Sequence, residues 1–218
     1  IDYKFKNGWT NTAKKELLLE IEKNDFFKSI NQKEKLLGYF IETFTSKYNF
    51  NDFKEIIPAE KAKAFSDVMD ESLKKSGLMN GYLEGIRAEA KRFLSDKEYE
   101  KGMSLIENDI IQKGRATDLD YGLQSDFYLM TKQYIKAEVA IKKAISMNAT
   151  NIEHQLRLAH VYLFSNRVSD AKDIHKKYRS NNVSSSKSWT QATKEDFDNF
   201  KKNGLSTDDF KKILRILE

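Results

Sequence analysis

Small and aromatic residues recur along the second half of this chain at a fixed interval. Tyr128, Tyr134, Ala137, Ile141 and Ala144 stand 34 positions before Tyr162, Val168, Ala171, His175 and Tyr178. A third set, Ala90, Phe93, Tyr99, Gly102 and Ile106, precedes Ser125, Tyr128, Tyr134, Ala137 and Ile141 by 35, so one extra residue falls in a loop. An interval of about 34 is the length of a helix–turn–helix unit that cannot bury its apolar face alone and must stack on its neighbours. Two antiparallel helices approach closely only where small side chains face one another, as Ala159 is expected to face Ala171. The aromatic at each copy fills the groove toward the next pair. The pattern is a packing code, not a catalytic one.

Composition agrees with an all-α chain. One proline and nine glycines in 218 residues leave too little punctuation for hairpin-rich β structure. A mean hydropathy of −0.68 and 33% charged residues describe a soluble chain. No apolar run approaches the roughly 20 residues that span a bilayer. The 38 basic and 33 acidic residues, a net charge of +5, are thoroughly mixed, giving a solvated surface rather than the basic stripe that neutralises phosphates. This argues against nucleic-acid binding. Cysteine is absent, which excludes disulfides and thiolate metal sites. A first residue of Ile1 rather than Met fits a mature product whose leader has gone, leaving both cytoplasmic and exported locations open.

The recurring residues resemble the tetratricopeptide repeat. Ala90, Ser125 and Ala159 match its small eighth position, Phe93, Tyr128 and Tyr162 its aromatic eleventh, and Gly102, Ala137 and Ala171 its small twentieth. The resemblance covers residues 83–182, with departures: Ala149 replaces a usual proline, Gln124 a usual leucine, and Gly102 weakens its helix by roughly 1 kcal/mol relative to Ala. It implies a right-handed superhelical stack whose first helices line a concave groove for a partner's peptide or helix. By phase, that groove takes Glu84, Arg87, Lys91 and Leu94 from the first copy. The second supplies Leu119, Asp126, Leu129 and Met130, and the third Glu153, Leu156, His160, Leu163 and Phe164. Leu94, Leu129 and Leu163 would form an apolar strip flanked by Arg87, Lys91 and His160, suited to a partner with acidic flanks. The alternative is that the chain's own terminal helices cover part of this strip. The family's carboxylate clamp is not implied, because its positions hold Ala88, Leu123 and Arg157.

Residues 1–80 carry three further helical faces: Ala13, Leu17 and Ile21; Leu36, Leu37, Phe40, Ile41 and Phe44; and Ala62, Phe65, Met69 and Leu73 after Pro58. They read as degenerate repeats continuing the stack, or as its cap. The stretch 181–188, "NNVSSSKS", reads as a loop. Residues 189–218 read as a closing helical hairpin, with a helix end at Asn203-Gly204, a cap at Ser206 or Thr207, and a last helix carrying Phe210, Ile213, Leu214 and Leu217. Its segment 195–217, "EDFDNFKKNGLSTDDFKKILRIL", resembles the tail that follows the repeats in a group of bacterial tetratricopeptide proteins, notably from Bacteroidetes.

Catalytic chemistry finds little support. His154, His160 and His175 lack the spacing of a helical metal site and read as satisfied or exposed. Glu195, Asp196 and Asp198 read as first-turn carboxylates that complement a helix dipole. Neither a phosphate loop nor a nucleophile elbow occurs. Asn148 and Asn182 head glycosylation-type triplets, which arise often by chance. The expected function is a non-catalytic protein-interaction scaffold without cofactor or metal. Alternatives are a self-associating structural component, or an enzyme whose site, with acids such as Glu55 and Asp67, lies in the N-terminal third.

Overall fold

A computed structural model describes residues 6–22, 32–55 and 58–218. The described chain is helical apart from one short β ribbon, and it divides into two compact units, residues 1–85 and 86–218. No helix among the described residues is long and apolar enough to cross a membrane.

The first unit contains α1 (Asn11–Glu22), α2 (Lys33–Lys47), α3 (Phe50–Glu55), α4 (Pro58–Ser76) and the start of α5 (Met79–Ser95). Its aliphatic core is joined by a cluster of aromatic rings around Trp9, Phe40 and Phe44. Trp9 is fully buried, meets Phe44 edge-on at 5.8 Å, and donates its indole N–H to the Tyr48 carbonyl at 2.7 Å. The expected faces of α1 and α2 are inward, with Ile41 only half-buried. On α4 the expected face is corrected. Ala62 is exposed, and the buried line runs through Ala64, Val68, Ser72, Leu73 and Ser76. Ser72 and Ser76 can be buried because their hydroxyls donate to the Val68 and Leu73 carbonyls of their own helix, at 2.6 and 3.2 Å. A pattern read from apolar letters alone skips such positions.

The second unit is a succession of helical hairpins. After the rest of α5 come α6 (Tyr99–Ile106), prolonged by a π turn over Glu107–Ile111, then α7 (Asp118–Met130) and α8 (Tyr134–Met147). Then follow α9 (Ile152–Phe164) and α10 (Val168–Tyr178). The hairpin α7/α8 thus begins 34 residues before α9/α10 at both helices. Within each hairpin the first helix ends in the same way. Lys97, Lys132 and Asn166 adopt left-handed backbone with φ of 64°, 59° and 61°. The N–H groups of Glu98, Gln133 and Arg167 reach back to the carbonyls of Phe93, Tyr128 and Tyr162 at 2.9, 2.8 and 2.9 Å. These bonds satisfy carbonyls that a helix end would otherwise orphan, and they turn the chain sharply into the second helix.

The small residues lie where the helices meet. Ala90, Ser125, Ala159, Gly102, Ala137 and Ala171 are all buried, and the Ser125 hydroxyl donates to the Ala137 carbonyl at 2.9 Å. Gly102 has a direct steric cause: a methyl group there would lie 2.3 and 2.5 Å from two carbons of the Phe127 ring. Its cost in helix propensity is offset by the seating of a fully buried phenylalanine.

The stretch read as a loop forms an antiparallel ribbon of β1 (Asn182–Ser184) and β2 (Lys187–Ser188). It leads into α11 (Trp189–Lys202), capped by Ser188, whose hydroxyl accepts from the Gln191 N–H at 3.2 Å. Because α11 starts at Trp189, Glu195, Asp196 and Asp198 lie in its body, not its first turn. Gly204, with φ of 75°, ends α11 as expected. The last helix, α12 (Phe210–Leu217), follows Asp209, and neither Ser206 nor Thr207 caps it by a side chain. Ser206 bonds Asp208 instead. Phe197 of α11 stacks on Phe210 of α12 at 4.0 Å.

Gly102→Ala is expected to lower stability by about 1–3 kcal/mol, because overpacking against Phe127 outweighs the helix-propensity gain. Lys132→Gly, at an exposed left-handed position, is expected to raise it by about 0.5–1 kcal/mol. Urea unfolding followed by circular dichroism measures both changes, and opposite signs for the two glycine exchanges are the diagnostic result.

Candidate functional site: a cleft between hairpin helices and the closing helix

Four helices of the second unit line a cleft of about 330 Å³. Its walls carry Lys91, Leu94 and Ser95 from α5, Asp126, Leu129 and Met130 from α7, and Glu153, Leu156, Arg157 and His160 from α9. The closing helix α11 adds Asp196, Asn199 and Phe200, with Asn203 just beyond it. Helical repetition explains the convergence: Asp126 with Met130, and Glu153 with Leu156, Arg157 and His160, are spaced by three or four and share a face.

The groove residues expected from the sequence divide into two groups. Lys91, Leu94, Asp126, Leu129, Met130, Leu156 and His160 line the cleft, as does Glu153. Arg87, Leu163 and Phe164 do not. Arg87 is 9% exposed and grips Asp120 through two nitrogens at 2.8 Å each. Asp120 also accepts from the Thr117 N–H at 2.8 Å. Burial opposes the charge of Asp120, but Arg87 and Thr117 outweigh it and hold the carboxyl below its usual range. Arg87 therefore ties α5 to the start of α7. Leu163 is buried among Ala171, Phe197, Phe210 and Ile213, and Phe164 lies against Phe200 and Phe210 at 5.0 and 6.0 Å. The two closing helices thus cover the far end of the apolar strip. Of the remaining expected groove residues, Glu84 and Leu119 are exposed.

Ser95, Arg157, Asp196, Asn199, Phe200 and Asn203 line the cleft outside the expected groove positions. Arg157 accounts for its own place: its Nε donates to both Asp126 oxygens at 3.0 and 3.1 Å, and a terminal nitrogen meets Glu153 at 2.9 Å. The signal for α11 was its spacing, since Asp196, Asn199, Phe200 and Asn203 follow the i, i+3, i+4, i+7 rule. Burial, together with the negative charge of Asp126, pushes the Asp196 carboxyl up to about 7. Burial also lifts Asp126, against the pull of Arg157.

The three histidines are buried, correcting the expectation of satisfied or exposed rings. Each has one ring nitrogen bonded or facing a polar group and one without a hydrogen-bond partner. His154 Nε2 lies 2.8 Å from an Asp118 oxygen. The Trp189 indole N–H donates to His175 Nδ1 at 2.9 Å, so the neutral ring carries its proton on Nε2. His160 lies edge-on to Phe200 with ring centres 5.1 Å apart. Histidines of α9 and α10 thus seat the aromatic residues of α11. Burial holds His175 down at about 4 and His160 well below its usual value. Among the described residues no group of three or more His, Asp or Glu is arranged to hold a metal ion. Asp67 pairs with Lys63 on the surface of α4, and the side chain of Glu55 lies outside the described residues.

Both depressed histidines favour the folded state above the ordinary histidine pKa of about 6.5, and that stability is lost as pH falls below it, for His175 down to about 4. The raised Asp196 acts oppositely: its contribution is present in acid and is lost as pH rises through about 7. Asp126, lifted by burial, acts in the same sense as Asp196. Relative to the parent, the change in urea midpoint on lowering the pH from 7 to 5 is expected to be more favourable in His175→Gln and less favourable in Asp196→Asn; equal changes in all three proteins would exclude this origin.

No protein-family model matches the chain, and no curated protein or solved structure matches it.

Proposed function

We propose that residues 83–182 are three tetratricopeptide-like repeats in a right-handed superhelical stack, closed by the hairpin of residues 189–218. In this reading the chain is a non-catalytic scaffold that binds a peptide segment of a partner protein. The observation that carries it is the convergence of the first helices of three successive hairpins, α5, α7 and α9, on one cleft. The buried small residues at the hairpin contacts and the common left-handed turns support the repeat reading. A volume of about 330 Å³ stands at the low end of the roughly 300–1,000 Å³ typical of ligand pockets, which favours a few side chains of an extended peptide over a whole helix.

Self-association is a second reading, favoured by Ile135 and Val139, which are one turn apart on α8 and 83% and 66% exposed. A mass that rises with concentration in sedimentation, and stays monomeric in Ile135→Lys, would support it.

Selection of displayed peptides on the full chain tests the principal reading. Leu129 and Leu163 are too buried to mutate cleanly, whereas Leu94 and Met130 are half-buried in or at the cleft. Enriched peptides are expected to lose at least about tenfold in affinity for Leu94→Glu/Met130→Glu, with an unchanged circular dichroism spectrum. Equal binding to both proteins, or no enrichment, would overturn the reading.

A further inference from the structure

The cleft's polar groups are unequally partnered. Arg157 is already committed to Asp126 and Glu153. Asp196 enters from α11 and accepts no hydrogen bond among the described residues; His160 Nδ1 approaches it only to 3.7 Å, on a ring held neutral. The lysine that approaches from β2, Lys187, is held by Glu195 at 2.5 Å. His160 is 2% exposed, lines the same cleft, and has no partner at Nε2. This incompletely bonded corner adjoins an apolar wall that includes Leu129, Met130 and Phe200.

We propose that the cleft seats a basic side chain, lysine or arginine, of the partner polypeptide, its head group on Asp196 and its alkyl stem along the apolar wall. The inference rests on the peptide-binding reading and names the chemistry of its ligand. Basic side chains suit such a place because their stems are apolar while their heads form charge-assisted hydrogen bonds to carboxylates and attractive contacts with aromatic faces. An acidic side chain would add a like charge to Asp126, Glu153 and Asp196. Lys91, exposed and without an ion pair among the described residues, is the one cation left to meet it. The sequence-based expectation of acidic flanks rests on Arg87, Lys91 and His160; Asp120 neutralises Arg87, and burial keeps His160 uncharged, which leaves Lys91 alone.

The titration of Asp196 supplies a signature. The charged groups around it are Asp126, Glu153, Arg157 and Lys187, with neutral His160 beside it. Burial and Asp126 push its carboxyl up to about 7, so near neutral pH part of the population is protonated. A cationic head favours the ionised form and expels that proton. Binding therefore tightens as pH rises through 7.

The test uses the full chain and three fluorescein-labelled nine-residue peptides of one leucine-containing backbone, carrying Lys, Glu or Ser at the same three positions. Anisotropy is read at pH 6 and pH 8. The lysine peptide is expected to bind about tenfold tighter than the glutamate peptide, and several-fold tighter at pH 8 than at pH 6. Bulk attraction cannot produce that order, since the net charge is +5. Asp196→Asn, at a partly exposed position, should abolish both the preference and the pH dependence, while Lys91→Met should tighten the lysine peptide. If the glutamate peptide binds as well or better, or if Asp196→Asn changes nothing, the basic-side-chain seat falls and the peptide groove stands. If none of the three binds, the peptide groove falls with it.

Discussion

Close approach of helices at small residues is the constraint on which the second unit depends. Gly102 gives way to the ring of Phe127, and the Ser125 hydroxyl reaches the Ala137 carbonyl across a hairpin. Neither contact survives a larger side chain at those places, because protein interiors are packed too densely to absorb extra atoms without strain. The turns serve the same end. Lys97, Lys132 and Asn166 accept left-handed backbone, unfavourable for residues with a Cβ, since that geometry satisfies the helix-end carbonyls within one short turn.

The polar framework is equally specific. Arg87, Asp120 and Thr117 form a buried network that fixes the start of α7 against α5. Its value lies in its completeness: Asp120 is matched by two arginine nitrogens and a backbone N–H, so a charge that would be costly to bury alone is tolerated. Asp118, at the head of the same helix, receives His154, Asn148 and Asn151 at 2.8, 3.1 and 3.3 Å. These contacts are made by residues 30 to 36 positions away, which attaches the start of α7 to the next hairpin.

The closing helix completes the cleft and alters its character. Trp189, anchored by the His175 nitrogen and stacked on Tyr178 at 5.3 Å, fixes the beginning of α11. From there Phe197 and Phe200 reach the strip on α9. What the hairpins alone would present as a long apolar groove becomes a short cleft with a carboxylate on its new wall.

Residue spacing by itself determined the helices, their 34-residue recurrence and the small positions at the hairpin contacts, because each follows from local periodicity and side-chain size; eight of the thirteen residues expected in a groove line the cleft. It misplaced Ala62, where buried serines carry the helix face, and the start of α11, where a two-stranded ribbon stands in a polar stretch. Only the tertiary structure decided that Arg87 is spent on Asp120, that Leu163 and Phe164 are covered, and that Asp196 joins the cleft. Those outcomes depend on which side chain meets which across dozens of residues. Ion pairing and burial are properties of the two surfaces together, and neither is encoded in the periodicity of a single helix.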